Sequence, residues 1–140
     1  GDENLLLPSG KSVVVHEGSD VTVVANSFQV GQCVKVAKHL EKKKGVSVEV
    51  VDLRTLVPLD KETIIKSVKK TGRLLIVDEG YTFVVAAEIC AAIQDEVFYD
   101  LDAPIQRLCA PDVSIPFSPA LEKLVVPNEN TILAAVEKLL

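Results

Sequence analysis

Three observations predict that this 140-residue chain folds as a three-layer α/β/α sandwich on a mostly parallel sheet of five strands. Short β-branched runs alternate with segments whose apolar residues recur at helical spacing, the grammar of strand–helix–strand units. One run, Leu74-Leu75-Ile76-Val77, is apolar without a break, as in a strand covered on both faces. Apolar residues make up 48% and charged residues 25%, enough for a core at a length that buries about two-thirds of the unfolded surface. With no Met or Trp, two Tyr and four Phe, that core must be built from Val, Leu, Ile and Ala.

Gly1 to Lys11 carries Pro8 and Gly10 without periodicity and reads as a linker over residues 1–11, ahead of a domain over residues 12–140. A chain that starts Gly1-Asp2 and lacks Met is expected to be the C-terminal piece of a larger protein. Val13 to Val15 is the first strand, and the Gly18-Ser19-Asp20 turn leads into a second at Val21–Ala25. Asn26 and Ser27 are expected to cap a helix with their side-chain oxygens. That helix would bury Val30, Cys33, Val34, Ala37 and Leu40 and end at Gly45. Its Lys42-Lys43-Lys44 end complements the helix dipole.

The pattern then repeats. Val46–Val51 is a strand with Val46, Val48 and Val50 on one face. Asp60 caps a helix burying Ile64, Ile65 and Val68, which Gly72 stops. Leu74–Val77 is the fourth strand, followed by a helix from about Thr82 to Gln94 with Val85, Ile89, Ala92 and Ile93 inward. Pro104–Cys109 is the fifth strand. Pro111, Pro116 and Pro119 predict an irregular stretch, and Asn128 opens a last helix that buries Ile132, Leu133, Val136 and Leu139. The link between the first two strands is too short for a parallel crossover, so the first strand is antiparallel or at an edge.

Fifteen basic against twenty acidic residues leave a net charge of −5, which disfavours nucleic acid. The odd set Cys33, Cys90 and Cys109 lies in apolar stretches, as reduced core thiols do, and shows no metal-ligand spacing. No apolar run reaches the roughly 18 residues that span a bilayer, so no membrane contact is expected. No GxGxxG or Walker loop follows any strand. His16 and His39 have no nucleophile or carboxylate partner at motif spacing. Ligands of open α/β sheets gather beyond the carboxyl ends of the strands. Those ends carry Asp52, Arg54, Asp78, Glu79 and Asp112, with Arg107 in the fifth strand. An arginine so placed suits an ion pair or a domain contact. The residues by themselves describe an acidic α/β domain without a self-contained active site.

Several ordered stretches carry a resemblance. They include Val50-Val51-Asp52-Leu53-Arg54-Thr55-Leu56-Val57-Pro58-Leu59-Asp60, Lys70-Thr71-Gly72-Arg73, Ala86-Ala87-Glu88-Ile89-Cys90, Leu101-Asp102-Ala103-Pro104 and Ala110-Pro111-Asp112. From Pro8 to Leu140 the chain resembles the C-terminal domain of the β subunit of 2-oxo acid dehydrogenase E1 components, of the pyruvate, branched-chain and acetoin types, within the transketolase superfamily. The resemblance implies a five-stranded mixed sheet whose first strand runs antiparallel to the rest. It implies oxidative decarboxylation of a 2-oxo acid by the whole enzyme, with acyl transfer to lipoyl groups on E2. It also implies that thiamine diphosphate and magnesium bind elsewhere in the full enzyme, none being expected on this domain. No catalytic, cofactor or metal residue is therefore expected here.

The implied partners are an E1 α subunit or N-terminal E1 domains, a second β subunit in an α2β2 assembly, and the basic E2 subunit-binding domain. Asp102 and the terminal carboxylate of Leu140 are the implied E2 contacts. Arg54, Asp78, Glu79, Arg107 and Asp112 are the subunit-interface candidates. The implied location is the bacterial cytoplasm or the mitochondrial matrix. One departure is that relatives often carry a Gly-rich stretch where this chain has Phe83-Val84-Val85-Ala86. The alternative reading is a free-standing, non-catalytic α/β protein-binding module.

Overall fold

A computed structural model describes residues 8–81, 84–114 and 117–140. Its five strands are β1 (Val13–His16), β2 (Val21–Ala25), β3 (Val48–Asp52), β4 (Leu74–Tyr81) and β5 (Gln106–Ala110). They form one sheet in the order β1-β3-β2-β4-β5. Strand β1 pairs antiparallel with β3, and all other neighbours are parallel. The short link after β1 thus produces an edge strand that is also antiparallel, joining the two outcomes its length allowed. Gly18 is obligatory in that link, because a Cβ there would overlap the backbone of Val48 and Glu49.

The helices are α1 (Phe28–Lys44), α2 (Lys61–Thr71), α3 (Val85–Val97), α4 (Pro119–Val125) and α5 (Glu129–Leu139). Helices α1 and α5 cover one sheet face, where Val21, Val23, Val50, Leu75 and Val77 meet Cys33, Leu40, Ile132 and Val136. Helices α2 and α3 cover the other, packing Ile64, Val68, Ile89 and Ile93 on Val24, Val51, Leu74 and Ile76. Each such fully buried aliphatic side chain contributes about 1.5–3 kcal/mol relative to exposure. The core is double, one on each side of the sheet, as a three-layer sandwich requires.

Local expectations are met where a single side chain decides them. The Asp60 carboxylate accepts from the Thr63 amide at 3.2 Å and starts α2. Gly45 and Gly72 take left-handed φ angles of 66° and 73° and end α1 and α2. Asn128 and Thr131 form a reciprocal capping box that starts α5.

Other expectations need correction. Ser27 precedes α1 at φ 51° without a side-chain cap, and the first turn is closed by the Asn26 and Ser27 carbonyls instead. Helix α1 buries Gln29 and Val36, while Val30 and Val34 are only half-buried. Val51 is buried along with Val48 and Val50, since β3 lies between two strands and is covered on both faces. Ile65, Val85 and Ala92 sit at helix flanks, half-buried. Helix α3 begins at Val85 and continues to Val97; Thr82 and Phe83 lie outside the described residues. The proline-marked stretch contains α4, with Pro119 in its first turn, where a missing amide hydrogen costs nothing.

Residues 8–12 are tied to the β3–α2 loop: the Gly10 amide donates to Thr55 Oγ1 at 3.3 Å, and Ser12 N to Asp60 Oδ2 at 2.9 Å. A polar network crosses the β2–β3–α2 layer. Thr22 Oγ1 lies 2.7 Å from both Ser67 and Thr71 hydroxyls, and Glu49, 2% exposed, takes bonds from Lys70 and the Gly18 amide. Burial pushes the Glu49 carboxyl up, but Lys70, Ser67 and Gly18 outweigh it and hold it below its ordinary value.

Candidate functional site

Parallel strands give the sheet a carboxyl end and an amino end, and the candidate residues divide between them. At the carboxyl end, β3 leads into Asp52-Leu53-Arg54. Arg54 holds φ at 57°, its amide donates to Asp52 Oδ1 at 3.1 Å, and its Nε lies 3.8 Å from Asp52 Oδ2. The backbone turn therefore aims the arginine back over its own strand's carboxylate. Pro8, Asn26, Ser27, Thr55 and Leu56 complete a cleft around this pair.

Asp78, in β4, is 6% exposed, and its Oδ2 has no hydrogen-bond partner among the described residues. Alternation along β4 and β5 places it with Arg107 and Cys109 on the α3 side of the sheet. The Cys109 thiol is pushed up to about 11, first by burial and then by the Asp78 carboxylate, while Arg107 pulls the other way. Burial likewise raises Cys90, and Arg107 opposes it. Cys33, deep in α1, is pushed up to about 12 by burial alone. These thiols are protonated at neutral pH and poor nucleophiles. Glu79 is half-buried at the mouth of a groove between α1 and α4, and Asp112 is exposed just past β5. Arg107 and Asp112 both have partners.

Asp102 and Leu140 are at the other end of the sheet. Asp102 precedes β5; its amide donates to Gly72 O at 2.7 Å and its side chain is exposed. Helix α5 runs parallel to α1, from Glu129 beside Lys35 to Glu137 beside Lys44, so Leu140 emerges at the amino end too. The fold therefore puts both residues of the implied E2 contact at the amino end of the sheet, Arg54, Asp78, Glu79 and Asp112 at or toward the carboxyl end, and Arg107 between them, beside Ile76 within the sheet.

Residues passed over in the sequence enlarge the carboxyl-end face. No side chain of α4 is buried. Leu121 and Leu124 are exposed on it, and Phe28, Val113 and Phe117 are exposed as well. On the α3 side, Leu56, Val57 and Val84 rim an apolar cleft floored by Ile89. The spacing of Leu121 and Leu124 after Ser118-Pro119 was the available signal, masked by three prolines in ten residues.

His16 is structural: its Nδ1 lies 2.8 Å from Val48 O. Among the described residues, no three His, Cys, Asp or Glu side chains are placed to hold a metal ion. Arg54 lies beside the Asp52 carboxylate, and Arg107 and Asp78 both act on the Cys109 thiol. Apolar patches with flanking ion pairs suit protein contact. No helix of the described chain is long and apolar enough to cross a membrane.

Comparison with known proteins agrees with this geometry. Residues 10–132 match the family described as transketolase, C-terminal domain. The chain is 45% identical over 133 residues to a pyruvate dehydrogenase E1 component subunit beta of Rickettsia felis, covering 94% of this chain and 40% of that protein. It is 44% identical over 138 residues to the mitochondrial subunit of the same name in Pisum sativum, covering 98% of this chain and 38% of that one. The chain thus spans about two-fifths of the length of these relatives. Among solved structures, an inactive β4 tetramer of a split-gene transketolase superposes with a TM-score of 0.78 at 26% identity, covering 97% of this chain and 43% of that one.

Proposed function

This chain belongs to the transketolase C-terminal domain family, and from that membership we propose that it is the assembly and docking domain of a pyruvate dehydrogenase-type E1 β subunit. The reading is supported by its similarity to E1 β subunits over nearly its whole length. In this reading the parent enzyme decarboxylates a 2-oxo acid with thiamine diphosphate and magnesium held outside these residues. The acyl group then passes to lipoyl groups on E2. The carboxyl-end face, with Arg54, Asp78, Glu79 and Asp112, meets the E1 α subunit and a second β subunit, and Arg107 supports it from within β5. Asp102 and Leu140 at the amino end receive the E2 subunit-binding domain. The enzyme works in the bacterial cytoplasm or the mitochondrial matrix.

The observation that carries the assembly role is α4. An isolated helix shorter than about 12 residues is marginal in water. This one has seven residues, no buried side chain, and Leu124 82% exposed. Such a helix gains a reason to exist when another surface covers it.

The test is co-assembly with an E1 α subunit, followed by sedimentation velocity and E2 capture. Leu121→Glu with Leu124→Glu should weaken subunit assembly at least tenfold and leave the fold intact. Asp102→Lys should weaken E2 binding and spare subunit assembly, because it reverses a charge at the other end of the sheet. Unchanged assembly in the double variant refutes the carboxyl-end role. Unchanged E2 affinity of Asp102→Lys at low salt refutes the amino-end role.

A further inference from the structure

The end of α3 contradicts the charge pattern of the other helices. Helices α1, α2, α4 and α5 each carry lysine in the last turn, where a cation offsets the partial negative charge of unsatisfied carbonyls. Helix α3 carries none, and Asp95 and Glu96 occupy its last turn instead. Two carboxylates at a helix C-terminus oppose the dipole, so the local fold is not what favours them.

Directly after them, the chain makes a short 3-10 turn, Phe98–Asp100. Val97 is fully buried and anchors the start of this turn, while the Asp102 amide on Gly72 O pins its far side. Between these two fixed points Phe98 and Tyr99 are held outward, 66% and 95% exposed. Their ring centroids lie 5.2 Å apart at an interplanar angle of 87°, an edge-to-face pair standing in water. Asp100 and Asp102 follow, and no ion pair among the described residues engages Asp95, Glu96, Asp100 or Asp102. Of the four, Glu96 shares a cleft with Lys11, Lys61, Lys66 and Lys69, so Asp95, Asp100 and Asp102 are the carboxylates outside that basic cleft.

We propose that the Phe98–Tyr99 pair and its surrounding carboxylates form a receptor for an arginine-bearing segment of a protein partner. This rests on the docking role given above to the amino end and names the chemistry that recognises the partner there. A guanidinium is planar and weakly hydrated, so it stacks on an aromatic face while its edges pair with carboxylates. An ammonium can do only the second. The rings are the selective element, and the carboxylates attract the segment and set its approach rate. Because both rings sit on a pinned turn, little ordering opposes binding.

The absence of Trp makes the test direct, since Tyr99 and Tyr81 are the two tyrosines whose ring resonances report. The chain is titrated with a helical peptide carrying two arginines one turn apart, with its lysine counterpart, and with the E2 subunit-binding domain. The expected result is a ring shift at Tyr99 and arginine-peptide affinity at least threefold above the lysine peptide. Tyr99→Ala should lose about tenfold in affinity, while Tyr99→Phe stays within threefold because the face remains. Equal affinity for the two peptides, or no Tyr99 shift, overturns the proposal. E2 binding unaffected by Tyr99→Ala but abolished by Asp102→Lys also overturns it, and leaves the docking role standing. Arginine-peptide binding through Tyr99 with no E2 binding supports the receptor and refutes that docking role.

Discussion

Lys70→Met should separate the charge that ties β3 to α2 from the packing around it. Lys70 on α2 bonds Glu49 on β3, and the loop between these elements carries Arg54 and the apolar Leu56–Leu59 rim. Methionine keeps most of the apolar stem and removes the ammonium. Glu49 then stays buried with only the Gly18 amide at 3.2 Å and the Ser67 hydroxyl. A hydrogen bond to a charged group contributes about 1.5–3 kcal/mol, and removing one partner of a fully buried pair costs about 3–5 kcal/mol. Lys70 is half-exposed, so water compensates in part and the expected loss at pH 7 is about 1–2 kcal/mol. For a domain of this size that lowers Tm by roughly 3–8 °C.

The pH dependence sharpens this expectation. The folded Glu49 carboxyl sits below its unfolded value of about 4.3, so its contribution is complete above that pH and fades as pH falls through the lower folded value. Lys70 is raised by its bond to Glu49, so its part persists below about pH 10.4 and fades only as pH rises through the folded value. The gap between Lys70→Met and the unaltered chain should therefore be widest near neutrality and narrow below about pH 4. Urea unfolding at pH 7 and pH 3.5, with Glu49→Gln as the second arm of a double-mutant cycle, measures it. Glu17→Gln is the control: Glu17 lies 3.5 Å from the same ammonium but is exposed, and should cost less than about 0.5 kcal/mol. A gap under about 0.5 kcal/mol at pH 7, or one equally wide at pH 3.5, would refute the reasoning.

Asp60→Ala removes the α2 cap and the anchor of Ser12 together and should cost about 1–2 kcal/mol in thermal melts at pH 7. Burial raises the Asp60 carboxyl, but bonds from Ser12 and Thr63 outweigh it, so this loss should shrink as pH falls below about 3.9. Gly72→Ala forces a side chain into φ 73° and its Cβ into the Asp102 carboxylate. It should cost about 1–2 kcal/mol by urea unfolding and shift the backbone amide resonances of 100–102; a loss under about 0.5 kcal/mol contradicts the assigned turn geometry.

Much of the fold was legible because local chemistry decided it. Asp60, Gly72 and Asn128 mark helix ends wherever they occur, and Leu74–Val77 can hardly be anything but a covered strand. The Asn26–Ser27 cap failed because Ser27 sits at φ 51°, which turns its hydroxyl from the amides it would have capped. Helix α4 was hidden because prolines signal irregularity, yet one of them is placed in a first turn. Glu49 carries no local sign of burial, and it is the sheet order that encloses it, with another strand on each side of β3 and a helix over each face.

What the sequence determined by itself was the alternation of strands and helices, the helix stops, the apolar core and the resemblance to E1 β subunits. These depend on neighbours a few residues apart or on ordered motifs. Only the tertiary structure decided the sheet order, the division of candidates between two ends of the sheet, and which apolar residues stay in water. Those properties depend on long-range pairing. Asp102 and Leu140 are 38 positions apart in the chain and lie at the same end of the sheet because α5 runs alongside α1. Leu124 and Tyr99 are exposed not by their own chemistry but because no other part of the described fold reaches them.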